Sequence, residues 1–400
     1  MISLHWNYKD IFRACRLGLS AKKIWMQIIG LVAGGVGYTL LTYLAYWASG
    51  ANLTAVWERF ALIPLLDPYY VSANGPGASI YWWSWVIWAI GIAWFAATCL
   101  VTGAAVAKVT IEQLRGDDFF ESREAFRYAL GRLSVVIGTP VMPILFIVLL
   151  VIGGLILSLL GAIPEVGAII VGLFALPTLG VSLFILYLLI IFVIALILVP
   201  AIAGATKNDA FDTLFEVFSC TNEQTWRLLW YSALLKMLSL LCGAVLLAFA
   251  YLAIKLGSGV LAVFMGGKML AILSGGPFFL HLALPTWCPF YDLLENSGIL
   301  FGAAETTAIT VGQNVGAVLI GVAAYVVLIM VIAYALAVWN VGQTIIFCVL
   351  VRKKDDKNIL AEKETEDLLT EEAAHSPPPQ LESQPPATGD SQPQGEAKPN

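Results

Sequence analysis

From Leu133 to Thr206 the chain carries a single charged residue, Glu165. A helix crosses a bilayer with about 20 apolar residues, so this run is too long for one crossing and right for two. A membrane interior offers no water to a backbone N–H or C=O, and only helices or closed barrels satisfy those groups internally. Barrel strands alternate apolar and polar residues with a period of two. The runs here are apolar on every face, so they read as helices. Composition agrees: 59% of the 400 residues are hydrophobic and 12% are charged, against about half and a quarter in a soluble domain.

Six such runs are legible, at about 24–49, 80–106, 134–161, 180–204, 229–255 and 312–337. The expected fold is an all-α polytopic membrane helix bundle with amphipathic interfacial helices. Residues 1–23 form a basic lead, with Lys9, Arg13, Arg16, Lys22 and Lys23 against Asp10. Ile11, Phe12, Cys15 and Leu19 share one helical face of it, which predicts a helix lying on the membrane surface. The first apolar run begins late and is too long for a signal-peptide core, so it reads as a retained span. Gly30 and Gly34, and again Gly312 and Gly316, have the GxxxG spacing that permits close helix packing. Trp82, Trp83, Trp85 and Trp88 open the second span and read as an aromatic belt at one interface.

Between the spans, two polar stretches stand out. Over 108–132, Phe119, Phe126, Leu130 and Leu133 recur at helical spacing among Arg123, Arg127, Glu121 and Glu124. Over 205–228, Phe211, Leu214, Phe215 and Phe218 form a second stripe. Both predict amphipathic helices. Each follows a small-residue exit, Gly103-Ala104-Ala105 or Ala201 to Ala205. The shared layout fits a parallel internal repeat, and it equally fits two segments meeting the same interface. Gly161, Pro164, Glu165 and Gly167 mark a break after span three. Pro177 and Gly180 mark a second, with a short helix or re-entrant piece between. Pro140 and Pro143 are expected to kink or delay span three. The tail, 352–400, opens basic, turns acidic and ends in Pro, Gln, Ser and Gly, a composition that predicts disorder.

The bases give an orientation. Of the 22 Lys and Arg, only Arg59, Lys255 and Lys268 fall in the loops of one side, and Lys236 lies within span five. All the others flank the opposite side. By the positive-inside rule both termini are then cytoplasmic.

A resemblance rests on three phrases. They are Asp10-Ile11-Phe12-Arg13 with Lys23-Ile24-Trp25, Asp209-Ala210-Phe211-Asp212 with Trp226 to Tyr231, and Thr344 to Leu350 before Arg352 to Asp356. In these the chain resembles a family of planctomycete-like bacterial polytopic membrane proteins, in patches over roughly 8–360. A looser likeness is to membrane domains found beside glycerophosphodiester phosphodiesterases, whose catalytic domain has no counterpart here. The resemblance implies a protein of the bacterial inner membrane and carries no activity with it.

Chemistry is sparse. Charges are costly within spans and mark coupled transport sites, yet the six spans hold only Lys236, near an end. The six cysteines, Cys15, Cys99, Cys220, Cys242, Cys288 and Cys348, are scattered, with no CxxC, and read as small buried apolar residues. His281, Cys288, Asp292 and Glu295 share one segment, but the spacing matches no metal motif. No phosphate-binding loop or nucleophile elbow occurs, and no cofactor is implied. The basic clusters hug span ends, so nucleic acid is not an expected partner. Arg115, Arg123, Arg127 and Arg132 are candidate contacts for anionic lipid headgroups. The expected function is therefore a non-enzymatic scaffold or accessory subunit that meets lipid and other membrane proteins. A permease or lipid-handling transporter without its own energy source is the alternative.

Overall fold

Among the described residues of the computed structural model, six helices are long and apolar enough to cross a membrane. Residues 5–60, 64–67, 80–266, 268–269, 272, 310–356 and 359–361 are described. Among them every regular element is helical, with no strand. A 3-10 turn, Tyr8–Phe12, leads into α1 (Arg13–Gly18), α2 (Ala21–Ala48) and α3 (Leu53–Phe60). Then follow α4 (Trp82–Arg115), α5 (Ser122–Gly131), α6 (Leu133–Gly161), α7 (Val166–Leu173) and α8 (Ala175–Ala205). The last are α9 (Ala210–Glu223), α10 (Thr225–Met265) and α11 (Val311–Asp355). The six helices able to span are α2, α4, α6, α8, α10 and α11. The chain divides into two units, Met1–Leu360 and Ala361–Asn400. The bundle belongs to the first, and of the second only Ala361 is among the described residues. His281, Cys288, Asp292 and Glu295, and the tail from 362, lie outside them.

The spans pair as α2 with α4, α6 with α8, and α10 with α11, and the pairs join through α4, α8 and α11. Their junction sits at one end. Buried residues crowd into 101–114 of α4, 198–204 of α8 and 341–351 of α11. The opposite halves of α6, α8 and α10 expose Leu, Ile, Val and Phe on most faces, while α11 buries Ala317 and Gly321 there. Lipid tails are as apolar as these side chains, so no hydrophobic force closes helices together within the bilayer. The packed end behaves like a water-side core instead. With 45 residues and a rise of about 1.5 Å per residue, α11 is roughly twice as long as a hydrocarbon layer about 30 Å thick.

Small residues set the approach of the helices. A Cβ on Gly30 would lie 2.5 Å from Thr102, and one on Gly34 would strike Thr98, so α2 and α4 meet along the first GxxxG pair. Among the described residues nothing lies within 4 Å of a Cβ on Gly312, and one on Gly316 makes ordinary contact with Ile272. The two small-residue exits pack on each other. A Cβ on Gly103 would meet Pro200 at 3.0 Å, and one on Gly204 would meet Ala107 at 2.5 Å.

Several element boundaries differ from the sequence reading. The second span was expected to leave the helix near 106, but α4 runs to Arg115. Gly116, at φ 110°, then ends it in a Schellman motif, with the Gly116 and Asp117 N–H groups returning to Gln113 and Glu112. Pro177 does not break span four. It falls in the first turn of α8, where its missing N–H has no partner to lose. Pro140 and Pro143 lie inside α6 without delaying its start. Helix α11 continues to Asp355, and Ile359 and Leu360 are buried, so the chain stays packed beyond Arg352. The N-terminal lead is not simply laid on a surface. Ile11 and Ala14 are buried against α10 and α11, while Phe12 and Leu19 face out.

The break after α6 is a three-residue γ-turn. Val166 N–H bonds Pro164 O at 2.7 Å across Glu165, at φ 61° and ψ −54°. This turn is strained for a residue with a Cβ, by about 1–3 kcal/mol, whereas Gly adopts it freely at an entropic cost of about 0.5–1 kcal/mol. Glu165→Gly is therefore expected to raise stability by about 1 kcal/mol. A higher melting midpoint of the purified protein checks it, and an unchanged or lower midpoint counts against strain at this turn.

Candidate functional site

The polar residues collect at the packed end, and most serve one another. On α4, Glu112 Oε1 accepts from Lys108 Nζ at 2.7 Å and from Arg115 Nη1 at 3.2 Å. The i, i+3 and i+4 spacing puts the three on one helix face. Arg115 also donates to Ile359 O at 3.0 Å, which ties the chain after α11 to the end of α4. Lys108 lies 4.8 Å from the centre of the Tyr128 ring.

Tyr128 and Arg132, a turn apart at the end of α5, close the C-terminus of α8. The Tyr128 hydroxyl donates to Ala203 O and Thr206 O, each at 3.0 Å. Arg132 donates to Thr206 O at 2.8 Å and to Asn208 O. The last carbonyls of a helix lack partners within it and carry the negative end of its dipole, so a guanidinium is a well-matched cap. These bonds tie the end of α5 to the end of α8.

On the other flank, Lys23 is fully buried at the start of α2 and donates to Gln113 Oε1 at 2.8 Å and Leu17 O at 3.0 Å. Lys22 reaches Asp118 O and Phe120 O. Lys354 of α11 pairs with Glu216 of α9 at 3.4 Å. Glu216 also accepts from Cys220 Sγ at 3.6 Å. Burial, helped by the Glu216 charge, pushes the Cys220 thiol up to about 12, so it is a protonated donor there. Lys236 sits over the Trp339 ring, 5.3 Å from its centre.

The four candidate headgroup arginines thus separate. Arg115 and Arg132 hold internal partners. Arg123 and Arg127 project from α5, exposed, in the same region as Phe119, which is 89% exposed. Exposed apolar and basic side chains together are what an interfacial helix presents to a membrane surface. On α9, Phe211 and Phe215 are likewise exposed and meet edge to face, with ring centres 4.9 Å apart.

Sequence reasoning missed four features. The Lys108–Glu112–Arg115 triplet was legible as helix spacing. Tyr128 and Lys23 carried no local signal. Neither did the meeting of Cys15 Sγ and Cys242 Sγ at 2.7 Å, 227 residues apart. Among the described residues no group of three or more His, Cys, Asp or Glu is placed to hold a metal ion. No family model, no curated protein and no solved structure matches the chain.

Proposed function

We propose that this is a multi-pass protein of the bacterial inner membrane, with both termini cytoplasmic, acting as a non-enzymatic scaffold or accessory subunit. One observation carries the reading. The polar groups of the packed end serve as ion pairs and helix caps, while the surface offered outward is apolar, with Arg123 and Arg127 of α5 at its edge. Such a surface suits binding to lipid and to other helices. The bias of Lys and Arg toward the packed end supports the orientation.

The test is affinity purification from membranes in mild detergent, with the intact chain and with a chain ending after Ala361. A scaffold is expected to retain stoichiometric membrane partners at a size above that of the monomer. A lone monomer from both forms would sink the reading. For α5, the Arg123→Gln, Arg127→Gln double variant is expected to lose at least half of its co-purifying anionic lipid by mass spectrometry. Unchanged lipid would mean the two arginines are merely solvated.

A second reading, a lipid-handling transporter without its own energy source, is favoured by a different observation. Away from the packed end α6 and α8 expose apolar side chains on most of their faces, and a bilayer must cover those faces with acyl chains. Vesicles containing the protein and a fluorescent lipid decide it, since a transporter speeds exchange between leaflets and a scaffold does not.

A further inference from the structure

The Cys15 and Cys242 sulfurs are 2.7 Å apart, and both cysteines are free thiols. Two unbonded sulfurs are not expected so close, and a disulfide bond lies only about 0.7 Å shorter, at 2.03–2.05 Å. The backbone holds them there. One turn beyond Cys15, a Cβ on Gly18 would lie 2.9 Å from the Val338 backbone, so α1 is seated directly on α11. Cys242 is on α10 and packs in the same cluster as Tyr334 of α11. Three segments distant in sequence thus converge on one pair of thiols.

We propose that Cys15 and Cys242 are a disulfide-forming pair that fastens the N-terminal helix to the fifth span. Both residues are half-buried, and Leu241 beside Cys242 is 61% exposed on the apolar surface. The oxidant that meets such a site is lipid-soluble, a quinone. Two S–H bonds break and one S–S bond forms. The quinone takes the two electrons and two protons and leaves as the quinol. Burial and the neighbouring sulfur push the Cys15 thiol up to about 12, so it stays protonated at neutral pH and disulfides in water exchange with it slowly. The closed bond joins residues 227 apart and restricts the unfolded chain accordingly.

The test uses the full chain in detergent micelles with a fully ring-substituted short-chain quinone, to which thiols do not add. After quenching in acid, free thiols are alkylated and the peptides are mapped by mass spectrometry. The expected result is a linked peptide pair containing Cys15 and Cys242, two hydrogens lighter than its parts, with one quinol formed per chain. Dithiothreitol should release it, and Cys15→Ser should abolish both the link and the quinol while the other cysteines are alkylated as before. Should Cys15→Ser fail to fold, thiol accounting on the unmodified protein decides alone. Alkylation of both Cys15 and Cys242 after quinone treatment overturns the proposal, as does quinol formation undiminished in a folded Cys15→Ser.

Discussion

Replacing Glu112 by Ala is expected to lower stability by about 3 kcal/mol. Its carboxylate is 3% exposed and accepts from two bases, Lys108 at 18% and Arg115 at 14% exposure. Removing one member of a buried ionic group leaves the others as uncompensated charge, at about 3–5 kcal/mol. The low end applies because both bases keep other partners, the Tyr128 ring and Ile359 O. Thermal melting of the purified protein should fall by several degrees. Adding Lys108→Met to Glu112→Ala should restore part of the loss, because it removes one stranded charge. A Glu112→Ala midpoint equal to that of the unmodified protein would mean the group is solvated and structurally idle.

Gly204→Ala has the next largest expected effect. The new methyl would lie 2.8 Å from Lys108 N and 2.9 Å from Ala104 O, both backbone atoms of α4. No side chain can rotate to make room, so α4 and α8 must separate. Overpacking of this kind costs about 1–3 kcal/mol. Ala itself favours a helix over Gly by about 1 kcal/mol, so the net loss should be up to about 2 kcal/mol and larger for Gly204→Val. Gly153→Ala in α6 is the control, since nothing lies within 4 Å of its added methyl. There only the helix preference acts, and a small gain is expected. A melting midpoint that rises in both variants would show that the α4–α8 approach is loose.

Those two positions also show where the sequence could be read and where it could not. The exits at Gly103 and Gly204 stood out as small-residue stretches, but nothing local said that they face each other. The triplet at Lys108, Glu112 and Arg115 was placed beyond the span because charge marks the edge of a bilayer. Charge does not end a helix, and α4 continues until Gly116 allows the backbone to turn. GxxxG spacing was the same at Gly30–Gly34 and Gly312–Gly316. Among the described residues the first pair alone sits against another helix at close range, because small residues permit an approach without requiring one. The four arginines looked alike on paper. Arg132 differs from Arg123 and Arg127 only in facing the open carbonyls of α8.

The charge-poor runs by themselves determined that the chain is helical and supplies six helices able to cross a membrane, since an unpaired backbone group inside lipid costs too much for any open alternative. They determined roughly where each apolar run begins and ends. Only the tertiary structure decided that the spans converge at one end, that Tyr128 and Arg132 cap α8, and that Cys15 meets Cys242. The reason is physical. Insertion into a bilayer is set by the local hydrophobicity of each segment. Packing between apolar helices has no hydrophobic drive inside lipid, and is settled by which small and polar residues happen to face each other across the bundle.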